Sequence, residues 1–129
     1  MTKTPQELKY TKTHEWVRIE PDGTVWTGIT DFAQEALGDI VFVEFPKVGA
    51  KVKAGEAVGV VESVKAASDV YAPLSGEIVA VNDGIPDHWE TINQDAFAAW
   101  LYKLKPSNPD ELKALLDAAR YAATAEASK

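Results

Sequence analysis

Few side chains in this sequence could do chemistry, and their scarcity narrows the possibilities. The 129 residues include no cysteine and only two histidines. Disulfides, thiolate metal sites and cysteine nucleophiles are therefore excluded, and any redox or thiol chemistry must come from something attached to the chain. Lys65 is one residue whose position would allow such an attachment. It follows the strand-like run Ala57 to Val64 and, with Ala66, separates it from a second run, Ala67 to Ala72. A lysine between two such runs, flanked by β-branched and small residues, sits at a hairpin tip with its amine in water. That position suits a group modified by one enzyme and then presented to others. Lysines at hairpin tips are common, and the position alone does not single this one out. An unperturbed histidine titrates near neutral pH, so His14 invites a catalytic reading. A packed histidine tying the first strand to its neighbour accounts for it more simply.

The elements that must position these residues are mostly strands. Glu15 to Ile29 carries strand-formers interrupted by Pro21-Asp22-Gly23, a turn between two strands. Thr30 is suited to cap a short helix from Asp31 to Leu37, with Gly38 at its left-handed stop. Ile40 to Phe45 reads as a strongly apolar strand ended by Pro46. Pro73-Leu74-Ser75-Gly76 turns the chain into a further strand, Glu77 to Val81, stopped by Asn82-Asp83-Gly84. Residues 85–95 read as irregular and polar, and Trp100 to Leu104 as the last strand. Asn108 at an N-cap, Pro109 in the first turn and Glu111 at the third position of a capping box open a C-terminal helix over about 109–122. Its core stripe is expected to be Leu112, Leu115, Leu116 and Ala119. Short strands at regular spacing with Gly or Pro between them argue for a sandwich or small barrel. The expectation is one mainly β domain over 1–129, with a short internal helix and a C-terminal helix.

With 20 acidic against 13 basic residues the net charge is −7. Such a surface repels phosphate backbones and anionic lipid, leaving nucleic acid and membrane as poor partners. No apolar run approaches the ~20 residues that span a bilayer. The amino terminus has neither the apolar core of a signal peptide nor the arginine bias of a transit peptide, so a cytoplasmic protein is expected. No metal-ligand cluster is visible. A monomer is the expectation from size and charge.

Glu62-Ser63-Val64-Lys65-Ala66, then Ser68-Asp69 and Ala72-Pro73 with Gly76, resembles the attachment hairpin of biotinyl/lipoyl domains, and within them the glycine cleavage H-protein family. A biotin site would carry Met on both sides of its lysine. Val64 and Ala66 stand there, which favours lipoate. The resemblance extends to Tyr10-Thr11-Lys12-Thr13-His14-Glu15-Trp16, to Gly28-Ile29-Thr30-Asp31, to Leu37-Gly38-Asp39 and to Val41-Phe42-Val43-Glu44, and covers roughly residues 8–120. It implies a barrel-sandwich hybrid with a lipoyl hairpin at about 57–72.

The same resemblance implies a non-catalytic carrier with lipoate on Lys65. Such a carrier shuttles an aminomethyl group and reducing equivalents among a PLP-dependent glycine decarboxylase, a folate-dependent aminomethyltransferase and dihydrolipoyl dehydrogenase. Glu62, Ser63, Val64 and Ala66 would form the site read by a lipoate ligase or octanoyltransferase, with Glu62 a recognition residue rather than a base. A cleft protecting the loaded amine needs acceptors and negative charge. Glu15 and Asp69 occupy the matching positions, with Thr13 a third candidate and His14 between them. The plainer alternatives are a solvated strand carboxylate for Glu15 and a hairpin salt bridge for Asp69.

The sequence departs from the family's Asp-Pro-Tyr-Gly-x-Gly-Trp before the last strand. Asp95-Ala96-Phe97-Ala98-Ala99-Trp100 is one residue shorter, with Ala for Pro and for the glycines, so this loop is expected to take a different path. Trp89 stands where Pro is usual. Trp26 falls at an outward strand position, where burial against the C-terminal helix is the plain explanation and an altered partner face the sharper one. A divergent H-like carrier relaying lipoate is the alternative within this class. A small hydrolase or lyase using His14, Glu15 and Asp69 is the rival from another, and a pure interaction module is a third.

Overall fold

The structure, a computed structural model, describes residues 4–85 and 88–127. Two strands, β1 (Lys9–Tyr10) and β2 (Glu15–Ile19), lead through the Pro21-Asp22-Gly23 turn into β3 (Val25–Ile29). Gly23 has φ +90°, the left-handed conformation this tight turn requires. Helix α1 (Asp31–Leu37) follows, capped as expected. The Thr30 hydroxyl accepts from the Ala33 amide, and Gly38 ends the helix at φ +87°. Then come β4 (Ile40–Glu44), β5 (Lys51–Val52), β6 (Ala57–Ser63), β7 (Ala67–Tyr71), β8 (Gly76–Val81), α2 (Glu90–Gln94) and β9 (Tyr102–Pro106). A 3-10 helix, Pro109–Ala114, and α3 (Ala118–Ala127) complete the order.

The strands form two antiparallel sheets, one in the order β1-β2-β3-β9-β8-β5 and the other β4-β6-β7. Their facing sides bury a β-branched and leucine core that includes Val17, Val25, Val43, Val61, Val70, Leu74, Ile78 and Leu104. This is the barrel-sandwich hybrid expected. The large sheet is also covered on its outer side. There Leu8, Tyr10, Trp16, Ala118, Tyr121 and Ala125 make a second buried cluster under α3. Trp16 therefore lies fully buried although it alternates away from the main core. Its indole donates to the Ala96 carbonyl at 3.0 Å, and it covers Gly28, where a Cβ would come within 2.8 Å of the ring nitrogen.

Five expectations fail for identifiable reasons. The stretch 85–95 is not wholly irregular: α2 forms because Ile92 is fully buried and anchors a short helical turn against the core. The last strand begins at Tyr102 rather than Trp100 and runs to Pro106, where the missing amide falls at the strand's end. The C-terminal helix over 109–122 is broken in two. Leu116 exchanges two backbone hydrogen bonds with Tyr10, which requires extended backbone, and Leu115 already has ψ 151°. Ala119 is exposed, and the buried stripe is Ala118, Tyr121 and Ala125. Asn108 does cap the 3-10 helix by accepting from the Asp110 amide, but Glu111 closes no capping box. Its carboxylate accepts from the amide and hydroxyl of Ser75 instead.

Trp26 is half-buried against the second cluster, the one under α3, whereas Trp89 packs elsewhere. Trp26 lies across the strands from Arg18 and Lys103, whose cations sit 4.6 and 4.1 Å from its ring, with Trp100 at 5.0 Å. An outward indole is stabilised there by cation–π contact on both sides. Trp89 packs against Phe42 and Phe45 of the small sheet's edge.

Candidate functional site

The β6–β7 hairpin is the element that presents Lys65. Its strands pair from Ala57–Tyr71 to Glu62–Ala67, leaving Ser63 to Ala66 as the tip. Ser63 holds that tip. Its hydroxyl accepts from the amides of Lys65 (3.3 Å) and Ala66 (3.1 Å) and its own amide donates to the Ala66 carbonyl at 2.7 Å. The Val64 amide donates to the Asp39 carbonyl at 3.2 Å, which ties the tip to the chain just beyond α1. Lys65 is exposed, and Val64 is 74% exposed beside it. The lysine stem passes the end of α1, since a Cβ on Gly38 would lie 3.7 Å from Lys65 Cε. Glu62 is half-buried between Phe42 and Ala67 on the neighbouring strands.

Alongside runs a cleft of about 160 Å³, formed by α1 on one side and by the hairpin and residues 13–15 on the other. Phe32, Ala33, Leu37, Val61 and Val70 give it apolar walls, and Thr13, His14, Glu15, Ser68 and Asp69 its polar atoms. Glu15 is 1% exposed, so it is not a solvated strand carboxylate. One carboxylate oxygen accepts from the hydroxyls of Thr11 and Thr13, both at 2.5 Å, and the other from the Tyr71 amide at 3.2 Å. The last bond joins the two sheets. Burial pushes the carboxyl up to about 7 against the opposing pull of those three donors. Asp69 is exposed at the cleft and forms no salt bridge among the described residues.

His14 has φ +72°, the left-handed region that a non-glycine residue enters at some cost. Its ring lies 4.6 Å from Phe32, and Nδ1 is 2.8 Å from the Tyr121 hydroxyl. It thus ties the first strands to α3, not to the neighbouring strand as anticipated. Burial holds its pKa below the usual histidine value. Sequence reasoning missed Thr11, four residues from Glu15, and also Tyr71 and Tyr121, which lie too far along the chain to carry a local signal. It also missed Asn93. The Asn93 side chain donates to the Gly38 carbonyl (2.8 Å) and to Gln34 Oε1 (2.9 Å), and accepts from the Ile40 amide (2.8 Å), fixing the far end of α1.

A larger cavity of about 470 Å³ lies between Thr11–Thr13 and the Ala114–Leu116 segment. It meets the β6–β7 hairpin only at Tyr71, whereas Val61, Ser68, Asp69 and Val70 line the smaller cleft, so the smaller cleft is the one matched to the hairpin. An aliphatic arm on Lys65 would find apolar walls there, and acceptors for a cationic end at Glu15 and Asp69. Among the described residues no cluster of His, Asp and Glu could hold a metal, and no helix is long and apolar enough to cross a membrane.

A two-sheet hybrid with a lysine on a braced hairpin tip defines a protein of the lipoyl-attachment class. The chain belongs to the glycine cleavage H-protein family, the lipoyl carriers of the glycine cleavage system, which it matches over residues 8–128. It is 60% identical over 122 residues to the glycine cleavage system H protein of Azoarcus sp. (strain BH72), covering 95% of this chain and 96% of that one. The identity is again 60%, over 127 residues, with the H protein of Ralstonia nicotianae, covering 98% and 100%. The crystal structure of a glycine cleavage system H protein from Mycobacterium marinum superimposes with a TM-score of 0.82 at 46% identity, covering 92% of this chain and 96% of that one.

Proposed function

We propose that Lys65 carries lipoate in amide linkage to its Nζ, and that Thr13, His14, Glu15 and Asp69 form the pocket for the loaded end of the arm. The observation that carries this reading is an exposed lysine on a braced turn beside a cleft that ends in a buried carboxylate. Bound lipoate supplies a dithiolane that opens to take up an aminomethyl group on sulfur and is left reduced when the one-carbon unit departs.

The chain's own residues bind, orient and shield. Phe32, Leu37, Val61 and Val70 give the aliphatic stem an apolar contact and exclude water. Glu15, oriented by Thr11, Thr13 and Tyr71, pairs as a carboxylate with the cationic amine, and that amine in turn favours the ionised carboxyl. Asp69 adds a second negative charge at the exposed end. Ser63 shapes the tip, while Glu62, Val64 and Ala66 offer the surface read by a lipoate ligase or octanoyltransferase.

The carrier, a single domain over 1–129 acting as a cytoplasmic monomer, visits a PLP-dependent glycine decarboxylase, a folate-dependent aminomethyltransferase and dihydrolipoyl dehydrogenase in turn. It catalyses none of their steps. The test is the intact mass of the folded protein after exposure to lipoate ligase, ATP and lipoate, with peptide mapping. One lipoyl increment on Lys65 is expected. No increment on Lys65 would overturn the assignment.

A further inference from the structure

We propose that Tyr121, on the C-terminal helix and outside the cleft lining, is a positioning residue whose hydroxyl joins the two walls of the arm cleft. The inference rests on the carrier reading above. The hydroxyl lies 2.8 Å from His14 Nδ1 and 2.6 Å from Thr30 Oγ1. His14 belongs to the Thr13–Glu15 wall. Thr30 caps α1, the opposite wall, through the Ala33 amide at 3.2 Å. One oxygen thus bridges both.

Three further observations give that bridge its importance. Helix α1 has seven residues, too few to stay formed and placed unaided. Its C-terminal end is tethered by Asn93 to Gly38 and Gln34, while at its N-terminal end the Thr30 amide donates to the His14 carbonyl at 3.0 Å and Tyr121 adds the side-chain tether. Tyr121 is itself fixed: it is fully buried, stacked on Tyr10 at 4.7 Å, and its helix is docked by the paired backbone bonds of Tyr10 with Leu116. Packing alone would be served equally by phenylalanine. The hydroxyl adds only the two contacts to the cleft walls. Burial pushes its pKa up to about 12, so it keeps its proton at neutral pH and can donate to one neighbour while accepting from the other.

The consequence concerns the cargo. An aminomethyl group on the arm is lost when water adds and the thiol, formaldehyde and ammonia separate. Walls held together by Tyr121 keep that water out. Without the hydroxyl, the His14 ring and the Thr30 side chain lose their shared partner, the backbone bond from Thr30 to His14 alone holds that end of α1, and the cleft opens more often.

The test compares wild type with Tyr121→Phe, which keeps the stack on Tyr10. A portion of each protein is lipoylated with lipoate ligase and checked by intact mass, and the rest is kept unmodified. In the unmodified proteins, amide exchange at Gln34 and Gly38 is expected to quicken about tenfold in the variant, the scale of one lost buried hydrogen bond, while Val61 in β6 is unchanged. The arm is then reduced, loaded with formaldehyde and ammonium chloride, and ammonia release is followed. Release is expected about tenfold faster, with alkylation of the unloaded dithiol by iodoacetamide unaltered. Equal exchange and equal release would overturn the proposal. Should Tyr121→Phe unfold, His14→Asn serves instead, because Asn tolerates the left-handed backbone but is too short to reach Tyr121. It should speed release without affecting exchange in α1, and unchanged release would again refute the bridge. A wild-type chain that takes no lipoate would refute the carrier reading and leave the exchange result standing.

Discussion

Glu15 should leave a signature in the pH dependence of stability. Its carboxyl is 1% exposed and pushed up to about 7, from an ordinary value of 4.5. The folded chain therefore holds a proton between those values that the unfolded chain has released. Stability from this group is complete below about pH 4.5, falls as pH rises through the window, and is lost above about 7. The gap corresponds to about 3 kcal/mol at ~1.4 kcal/mol per pH unit. His14 acts in the opposite sense, because burial lowers its pKa and so costs stability as pH falls below the ordinary 6.5. Wild type alone would blend the two. The difference between wild type and Glu15→Gln cancels the histidine, since both chains keep it. Urea unfolding at pH 4.5, 5.5, 6.5 and 8 measures that difference, with equal slopes in urea as the check on a common unfolded state. Wild type should lose about 3 kcal/mol relative to the variant from the lowest to the highest pH. Parallel curves would refute the buried-carboxyl reasoning. The same experiment on the aminomethyl-loaded protein should move the window down, because a cation beside Glu15 favours its charged form.

Three other substitutions probe the frame around the arm. Ser63→Ala removes the acceptor for the Lys65 and Ala66 amides at an exposed tip; thermal stability should fall by only about 1 kcal/mol, with a several-fold slower lipoylation rate in a ligase assay. Asn93→Ala strips partners from the Ile40 amide and the Gly38 carbonyl, and urea unfolding should register a loss of about 2–4 kcal/mol. Gly28→Ala places a Cβ 2.8 Å from the Trp16 indole nitrogen, so calorimetry should show a loss of about 1–3 kcal/mol, with altered tryptophan fluorescence as the ring shifts.

Much of the frame was legible because its signals are local. Thr30 and Gly38 bracket α1, Pro21-Asp22-Gly23 turns β2 into β3, and strand-formers flank Lys65 on both sides. Each feature depends on residues within one turn of itself, and a sequence displays that directly. The misses share the opposite property. The single helix expected over 109–122 ignored the claim Tyr10 makes on Leu116 from more than a hundred positions away. The capping box at Glu111 lost to Ser75, and the Leu112–Ala119 stripe to a register set by docking on Tyr10. The altered 95–100 loop is occupied in a way no local rule anticipates, with Ala96 accepting from Trp16 and Phe97 packing edge-on to Tyr10.

The same division runs through the site. Lys65 needs only its hairpin to be recognised, because attachment requires exposure and a shaped turn. The cleft needs the whole chain. Glu15 is held across the sheets by Tyr71, His14 by Tyr121, and α1 by Asn93 at one end and Tyr121 at the other. Each of these bonds joins residues more than fifty positions apart, so their cost in chain entropy is already met by the packing of the two cores. It follows that a substitution can spare attachment of the arm and still spoil its protection. Changes at the hairpin tip should appear first in lipoylation, and changes at the Tyr121 bridge first in the lifetime of the load. Changes at Glu15 should appear in the pH at which the loaded arm is held.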